Sequence, residues 1–324
     1  MLRSIDRLAA GHKGLLCSGS IVYDILARPL DQLAWGTTRF VDSIEYHIGG
    51  NGANTSRALA TLGVPTRLLG FVGRDRQGDV ALEALRRAGV DTCAVRRVDL
   101  PTAATVVLVN EAGDRQFLHR LGASREAFAA PVMFDEPLIE GTALYHLASL
   151  FVLPQLRAHA PGMLAEARSV GLGTSLDTNW DAEGRWMRDL EPCLPHLDLL
   201  FMNEDEARMV TGSSDAAVAA GAVLAGGVRI AVMKLGRRGC AIYTGSREIV
   251  CPAFEVDVKD TTGAGDCFVA GFLSALLRGE DLEDVGHFAN AVGALSVQRI
   301  GAVTGVVPRA EVEAWMHSVG GARG

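Results

Sequence analysis

The chain has 324 residues, 48% of them hydrophobic, enough for a sizeable core and better matched to one large α/β unit than to two full domains. Its 38 acids against 31 bases leave a net charge of −7, which argues against a nucleic-acid or anionic-membrane surface, because both require a basic footprint. Six cysteines are scattered without a Cys-x-x-Cys pair, so reduced thiols and a cytoplasmic location are expected.

The opening "MLRSIDRLAAGHKG" lacks the apolar run of a signal peptide. From there strand and helix patterns alternate. Short apolar runs ending in small or polar residues, at 14–22, 67–73, 143–149, 173–179, 197–203 and 229–236, predict buried parallel strands. Helix patterns fall between them at 54–63, 78–89, 155–171 and 203–212, so a parallel sheet covered on both faces is expected. The greasy stretch 216–233 is Ala/Gly-rich and broken by Arg229, and reads as a helix followed by a strand, not as a membrane span. Two segments break the rhythm. Residues 23–48 alternate without a helix, and residues 92–121 hold two runs joined by "EAGD", a hairpin signal. Together they predict a small antiparallel sheet serving as a lid or a dimer surface. Phe254, Val256 and Val258 alternate as in a further strand, and the last third is helical at 264–278, 281–299 and 309–319.

Several motifs are excluded. None of the three lysines (Lys13, Lys234, Lys259) follows a glycine, so no Walker phosphate loop exists, and neither His-Glu-x-x-His nor Gly-x-Ser-x-Gly occurs. What remains is "DTTGAGDCFVAGFL" at 260–273, where small residues lead into a helix. Free N–H groups at Gly263, Ala264 and Gly265 would favour an anion. Asp266 in that first turn either complements the helix dipole or serves as a general base beside a phosphate. Asn203 and Glu206 read as a capping box or, if their junction shares the sheet's carboxyl edge, as a pair that places Glu206 to orient water on Mg²⁺. Gly236 and Gly239 form a plain turn or a nucleotide-facing loop, and Asp177 and Asn179 end another strand. "HIGGNGANTSRALATLG" at 47–63 offers Gly49, Gly50 and Gly52 for close backbone approach, with Asn51 and Asn54 suited to a hydroxyl-rich ligand. Asp24 is either a solvated turn residue or the acceptor for a diol.

"GGNGANTSRALATLG" and "DTTGAGDCFVAGFL", about 200 residues apart, resemble the two signatures of the ribokinase-like, or PfkB, carbohydrate kinases. The intervening "PTAATVVLVNEAGDRQFLHRLGA", "NEDEA" and "KLGRRG" are similar as well, and the resemblance runs from about residue 15 to 308. It implies a three-layer α/β/α sandwich with a small β lid, transferring the γ-phosphoryl group of ATP to a hydroxyl of a sugar or sugar acid. Asp266 would then be the base, with Gly263, Ala264 and Gly265 as the anion hole. Asn203 and Glu206 would support Mg²⁺–phosphate geometry, and Lys234, Gly236, Gly239 and Asn290 would contact ATP. Asp24, Gly49, Gly50, Asn51 and Asn54 would bind the sugar. Asp260, Thr262, Ser296, Arg299, Gly301 and Gly305 match a monovalent-cation site, largely through backbone oxygens, with K⁺ as one candidate. A homodimer through the lid is a further expectation. Departures lie on the substrate side: Val22 and Asn51 stand where ribokinases carry Asn and Lys, Ser124 ends "GAS" where many sugar kinases have "GAN", and "ASLF" lacks a glutamate. A nucleoside kinase and a non-catalytic ligand binder are the alternatives.

Overall fold

Buried apolar runs too short for helices pair side by side, and the polar residue at each run's end marks where the chain leaves the sheet. The computed structural model describes residues 14–320, so the start read above for a leader lies outside the described residues. Its strands are β1 (Gly14–Ser18), β2 (Val22–Arg28), β3 (Ser43–Gly49), β4 (Thr66–Leu69), β5 (Phe71–Gly73), β6 (Arg96–Val98) and β7 (Ala104–Val109). They continue with β8 (Arg115–Arg120), β9 (Thr142–Leu147), β10 (Gly173–Asp177), β11 (Leu199–Asn203), β12 (Ile230–Lys234), β13 (Cys240–Thr244) and β14 (Glu248–Cys251). The main sheet runs β14-β13-β12-β11-β10-β9-β1-β4. β12 through β4 are parallel, and the β13–β14 hairpin adds two strands at one edge.

Alternate side chains of these strands enter different cores, which makes the architecture three-layered. Leu15, Cys17, Phe201 and Val232 pack with the helices Asn51–Thr61, Arg76–Arg87, Ala264–Leu276 and Leu282–Ser296. Leu16, Leu200, Met202 and Met233 pack on the opposite face with Leu156–Ser169, Glu204–Thr211 and Ala216–Ala225. Among the described residues no helix is long and apolar enough to cross a membrane.

Three sequence expectations are corrected. The 67–73 run is two strands, β4 and β5, broken at Gly70, and β5 pairs with β6 instead of the main sheet. Residues 254–258 form no strand; Phe254, Val256 and Val258 face a cavity, and the strand pair at this edge is β13–β14 just before them. The small sheet is mixed. Its order is β3-β2-β7-β8, with two antiparallel pairs joined by parallel β2 and β7, and residues 92–98 lie outside it.

The turn between β1 and β2 lies against the start of the Asn51–Thr61 helix. A Cβ on Gly52 would sit 2.7 Å from the Gly19 carbonyl carbon and Cα, so the two backbones approach closely enough to require glycine. Gly52→Ala should therefore cost about 1–3 kcal/mol, as overpacking at a rigid backbone contact does, and chemical denaturation would read it.

Candidate active site

Asp177, Asn203 and Lys234 terminate β10, β11 and β12, three neighbours of the parallel sheet, and so share its carboxyl edge. That edge is where ligands collect in sheets of this kind. Lys234 Nζ donates to Asp177 Oδ1 at 2.5 Å, with both side chains largely buried. Burial pushes the Asp177 carboxyl up to about 7; Lys234 opposes the shift, and the nearby Glu206 and Asp266 charges add to it. Burial works against the Lys234 ammonium, but Asp177, Glu206 and Asp266 outweigh it and hold its pKa above the ordinary lysine range. Beyond this edge the chain is anchored by buried Arg157, which donates to Asp181 at 2.6 Å and to Asp189 at 2.8 Å.

The capping reading of the β11 junction is realised. Asn203 Oδ1 accepts from the Glu206 N–H at 2.8 Å, and Glu206 Oε2 accepts from the Asn203 N–H at 2.8 Å. Thr178, just past Asp177, donates to the same Glu206 oxygen at 2.8 Å. Glu206 is thus fixed and buried, with its charge directed at Lys234, Asp177 and Asp266. Among the described residues no three His, Cys, Asp or Glu side chains are grouped to hold a metal. A single oriented carboxylate would fit Mg²⁺ where bound phosphates supply the remaining ligands, because Mg²⁺ retains several waters.

The Ala264–Leu276 helix begins at Gly263, whose φ of 69° is left-handed; a Cβ there would lie 2.7 Å from Ala302 Cβ. Among the described residues neither the Gly263 nor the Gly265 N–H has a hydrogen-bond partner, while the Ala264 N–H turns to Thr261 O at 3.2 Å. Ala264 and Gly265 border a cavity of about 680 Å³ with Lys234, Gly236, Gly239 and Asn290, walled by Phe254 and Phe268. Its volume falls in the usual range for bound small molecules. The Asn290 amide donates to the Cys251 and Pro252 carbonyls at 2.9 and 3.1 Å, which fixes the 252–258 segment as a cavity wall.

Asp266 is buried and receives Asn51 Nδ2 at 3.0 Å on Oδ1 and Asn54 Nδ2 at 2.8 Å on Oδ2. Burial raises its pKa above the ordinary carboxylate range, partly offset by the two amides and by Lys234. The two glycine-rich segments identified in the sequence therefore meet at one carboxylate.

On the small sheet, strand register aligns His47, Asp24, Thr105 and His119 in one row across β3, β2, β7 and β8. Asp24 lies within β2, not in a turn beyond the first strand. It borders a second cavity of about 190 Å³ between the small sheet and the body, together with Gly49, Gly50, Arg115, Asp260 and Gly301. A Cβ on Gly49 would come within 2.0 Å of Asp24 Oδ2, so glycine makes room for that carboxylate. Burial pushes the Asp24 carboxyl up to about 6, against hydrogen bonding from Thr105 and the charge of His47.

The residues matching a monovalent-cation site lie close together, but their one carboxylate is already engaged. Asp260 Oδ1 accepts from Arg115 Nη2 at 2.7 Å and from the Thr262 N–H at 2.8 Å, and Oδ2 accepts from the Gly301 N–H at 2.9 Å. Arg115 Nη1 also donates to Thr262 Oγ1, and Ser296 Oγ donates to the Gly293 carbonyl of its own helix. Arg299 is exposed, and Gly305 lies packed on Leu295 and Ser296. The one carboxylate of this set does not fit a resident cation, because a guanidinium from the small sheet neutralises Asp260. The sequence reading missed Arg115, which sat unassigned in the hairpin, and Thr178. Period-two alternation names an inward face only once the register is known.

An anion-favouring helix start, a buried carboxylate beside it and a large cavity on the carboxyl edge suit a kinase acting on small molecules. The chain belongs to the pfkB family of carbohydrate kinases, which it matches over residues 13–309. It is 34% identical over 265 residues to an ATP-dependent ribose-1-phosphate kinase of Halopiger xanaduensis, covering 78% of this chain and 81% of that one. It is 28% identical over 295 residues to the ribokinase of Bacillus subtilis, covering 91% and 96%. The structure of Arabidopsis thaliana ribokinase complexed with ribose and ATP superposes with a TM-score of 0.81 at 26% identity, covering 94% of this chain and 98% of that one.

The raised Asp24 pKa carries a signed prediction. Ionising this group costs the folded state more than the unfolded one, so its destabilising effect is present above pH about 6 and fades as pH falls toward the ordinary carboxylate range. Asp24→Asn should therefore melt higher than the wild type at neutral pH, with the gain shrinking in acid. It should also weaken binding of a hydroxyl ligand. Thermal melts across pH, alongside titrations with candidate sugars, check both.

Proposed function

We propose that the protein phosphorylates a hydroxyl of a monosaccharide using ATP, with Asp266 as general base. The observation that carries this reading is the position of Asp266. It lies in the first turn of a helix whose Gly263 and Gly265 amides lack partners, and it faces Asn51 and Asn54 from the other glycine-rich segment. A hydroxyl entering beside Asn51 and Asn54 would displace their hydrogen bonds and surrender its proton to Asp266. The helix-start amides would then stabilise the charge developing on the transferred phosphoryl group, and Lys234 would add a fixed positive charge from the opposite side. A Cβ on Gly265 would lie 3.5 Å from Lys234 Nζ, so lysine and amides border the same space. Phosphate-bound Mg²⁺ would neutralise further charge, with Glu206 orienting its water.

The nucleotide is assigned to the 680 Å³ cavity, where Gly236, Gly239 and Asn290 line the walls. The sugar is assigned to the 190 Å³ cavity, where Asp24 would accept hydrogen bonds from its hydroxyls and the small sheet acts as a lid. That volume is below the range for drug-sized ligands and favours a single sugar ring over a nucleoside. His47 and Arg115 are already paired with Glu45 and Asp260, which favours an uncharged acceptor. The outer side of the small sheet and its loop expose Trp35, Phe40, Ile44, Tyr46 and Leu118, an apolar area that supports a homodimer through the lid.

Three experiments test these readings. Asp266→Asn should lower kcat by about 10³–10⁴-fold, the upper range of general-base contributions, while ATP binding by calorimetry stays near the wild-type value. Activity close to wild type in that variant would end the proposal. Labelled ATP offered with ribose, fructose, 2-keto-3-deoxygluconate, ribose-1-phosphate, adenosine and inosine should give its strongest transfer to an uncharged sugar. Sedimentation should show a dimer that Trp35→Ser with Phe40→Ser converts to a monomer.

A further inference from the structure

Asp260 stands three residues before Gly263, the first residue of the anion-favouring turn, and its side chain is only 3% exposed. A buried carboxylate so placed repels an incoming phosphate and is expensive to keep unpaired. A cation is required there. The structure supplies one from the small sheet: Arg115 of β8 reaches across the 190 Å³ cavity to Asp260 Oδ1 and Thr262 Oγ1. Pairing register places Arg115 on the sheet face that carries Asp24, Leu26, Thr105 and Phe117 over that cavity, so its inward course is set by the strand. The carboxylate also accepts from the Thr262 amide on Oδ1 and the Gly301 amide on Oδ2. A metal cation added to the same carboxylate would stand beside a guanidinium and be repelled by it.

We propose that Arg115 takes the place of the monovalent cation in this protein, supplying from the lid the positive charge that holds the 260–263 turn ready for phosphate. It is a positioning residue, acting through Asp260. Because Arg115 rides on the small sheet, its charge reaches the turn only when that sheet covers the sugar cavity. Closure over the acceptor and neutralisation beside the anion site are then one event, and catalysis does not depend on potassium. Asp260 is 3% exposed but Arg115 is 24% exposed, so bulk salt screens the pair less than a surface pair.

The inference rests on the kinase reading for its rate measurements, but its stability measurements stand apart from it. Wild type, Arg115→Ala and Arg115→Lys would each be assayed and melted in potassium chloride and in tetramethylammonium chloride at equal ionic strength. Wild type should give the same kcat and melting temperature in both salts. Arg115→Ala should lose between about tenfold and a hundredfold in kcat without potassium, the scale expected for a displaced catalytic turn. Its KM for ATP should change less than its kcat. Potassium should restore part of the rate and raise the melting temperature of this variant alone, while Arg115→Lys keeps activity in either salt. A wild-type enzyme that potassium activates severalfold or stabilises would overturn the proposal. So would an Arg115→Ala variant that matches wild type in both salts, or one that potassium neither activates nor stabilises. If no acceptor is phosphorylated by any variant, the kinase reading fails, and potassium-dependent melting confined to Arg115→Ala still decides the role of Arg115.

Discussion

The site depends on one contact between distant parts of the chain, the two asparagine amides that grip Asp266 across 215 and 212 residues of sequence. A carboxylate this buried is costly unless its oxygens are hydrogen-bonded, and charge-assisted bonds to it contribute roughly 1.5–3 kcal/mol each. The contact requires the first turns of two helices to meet. One meets this condition through the Gly52–Gly19 approach, and the other through Gly263, whose left-handed turn fits under Ala302. Glycine thus acts here through the space it leaves, bringing side chains of other residues within reach.

Around that contact the protein concentrates negative charge. Asp177, Glu206 and Asp266 all bear on one lysine; Glu206 raises the pKa of Asp177 and Asp266, and Asp266 raises that of Asp177. A fold selected for stability alone would have little reason to gather three acids at a sheet edge. The arrangement becomes intelligible if the edge awaits partners carrying positive charge, or protons to be taken from a hydroxyl. The strain is contained by fixing every member. Lys234 holds Asp177, the capping box and Thr178 hold Glu206, and Arg157 anchors the chain beyond Asn179.

Much of this was legible in the sequence for a physical reason. A strand buried on both faces must be apolar throughout, so a run that ends in Asp, Asn or Lys marks its own exit from the sheet, and three such exits disclosed the site edge. Helix starts were legible because small residues and caps leave local marks around Asn51, Asn203 and Gly263. The 254–258 segment misled because alternation reports only that one side of the chain faces apolar surroundings. Here Phe254, Val256 and Val258 line a cavity, and Asn290 holds the segment without any neighbouring strand. Pairings such as Arg115 with Asp260 were not legible. They depend on how two sheets stand relative to each other, which no local pattern encodes.

On the proposed reading, the two sheets carry different parts of the site. Phosphate-side groups sit on the main sheet's edge, where parallel neighbours and buried ion pairs fix each position within a rigid frame. Of the substrate-side departures, Val22 alone sits on the four-stranded sheet, two residues before Asp24; Asn51 starts a helix of the main body, and Ser124 and residues 148–151 lie outside the small sheet. The Arg115–Asp260 pair is the described ion pair that crosses from β8 of the small sheet to the turn carrying the anion site. A change in lid sequence at this position alters the charge beside the phosphate as well as the acceptor pocket, so on the proposed reading this one residue couples two otherwise separable halves.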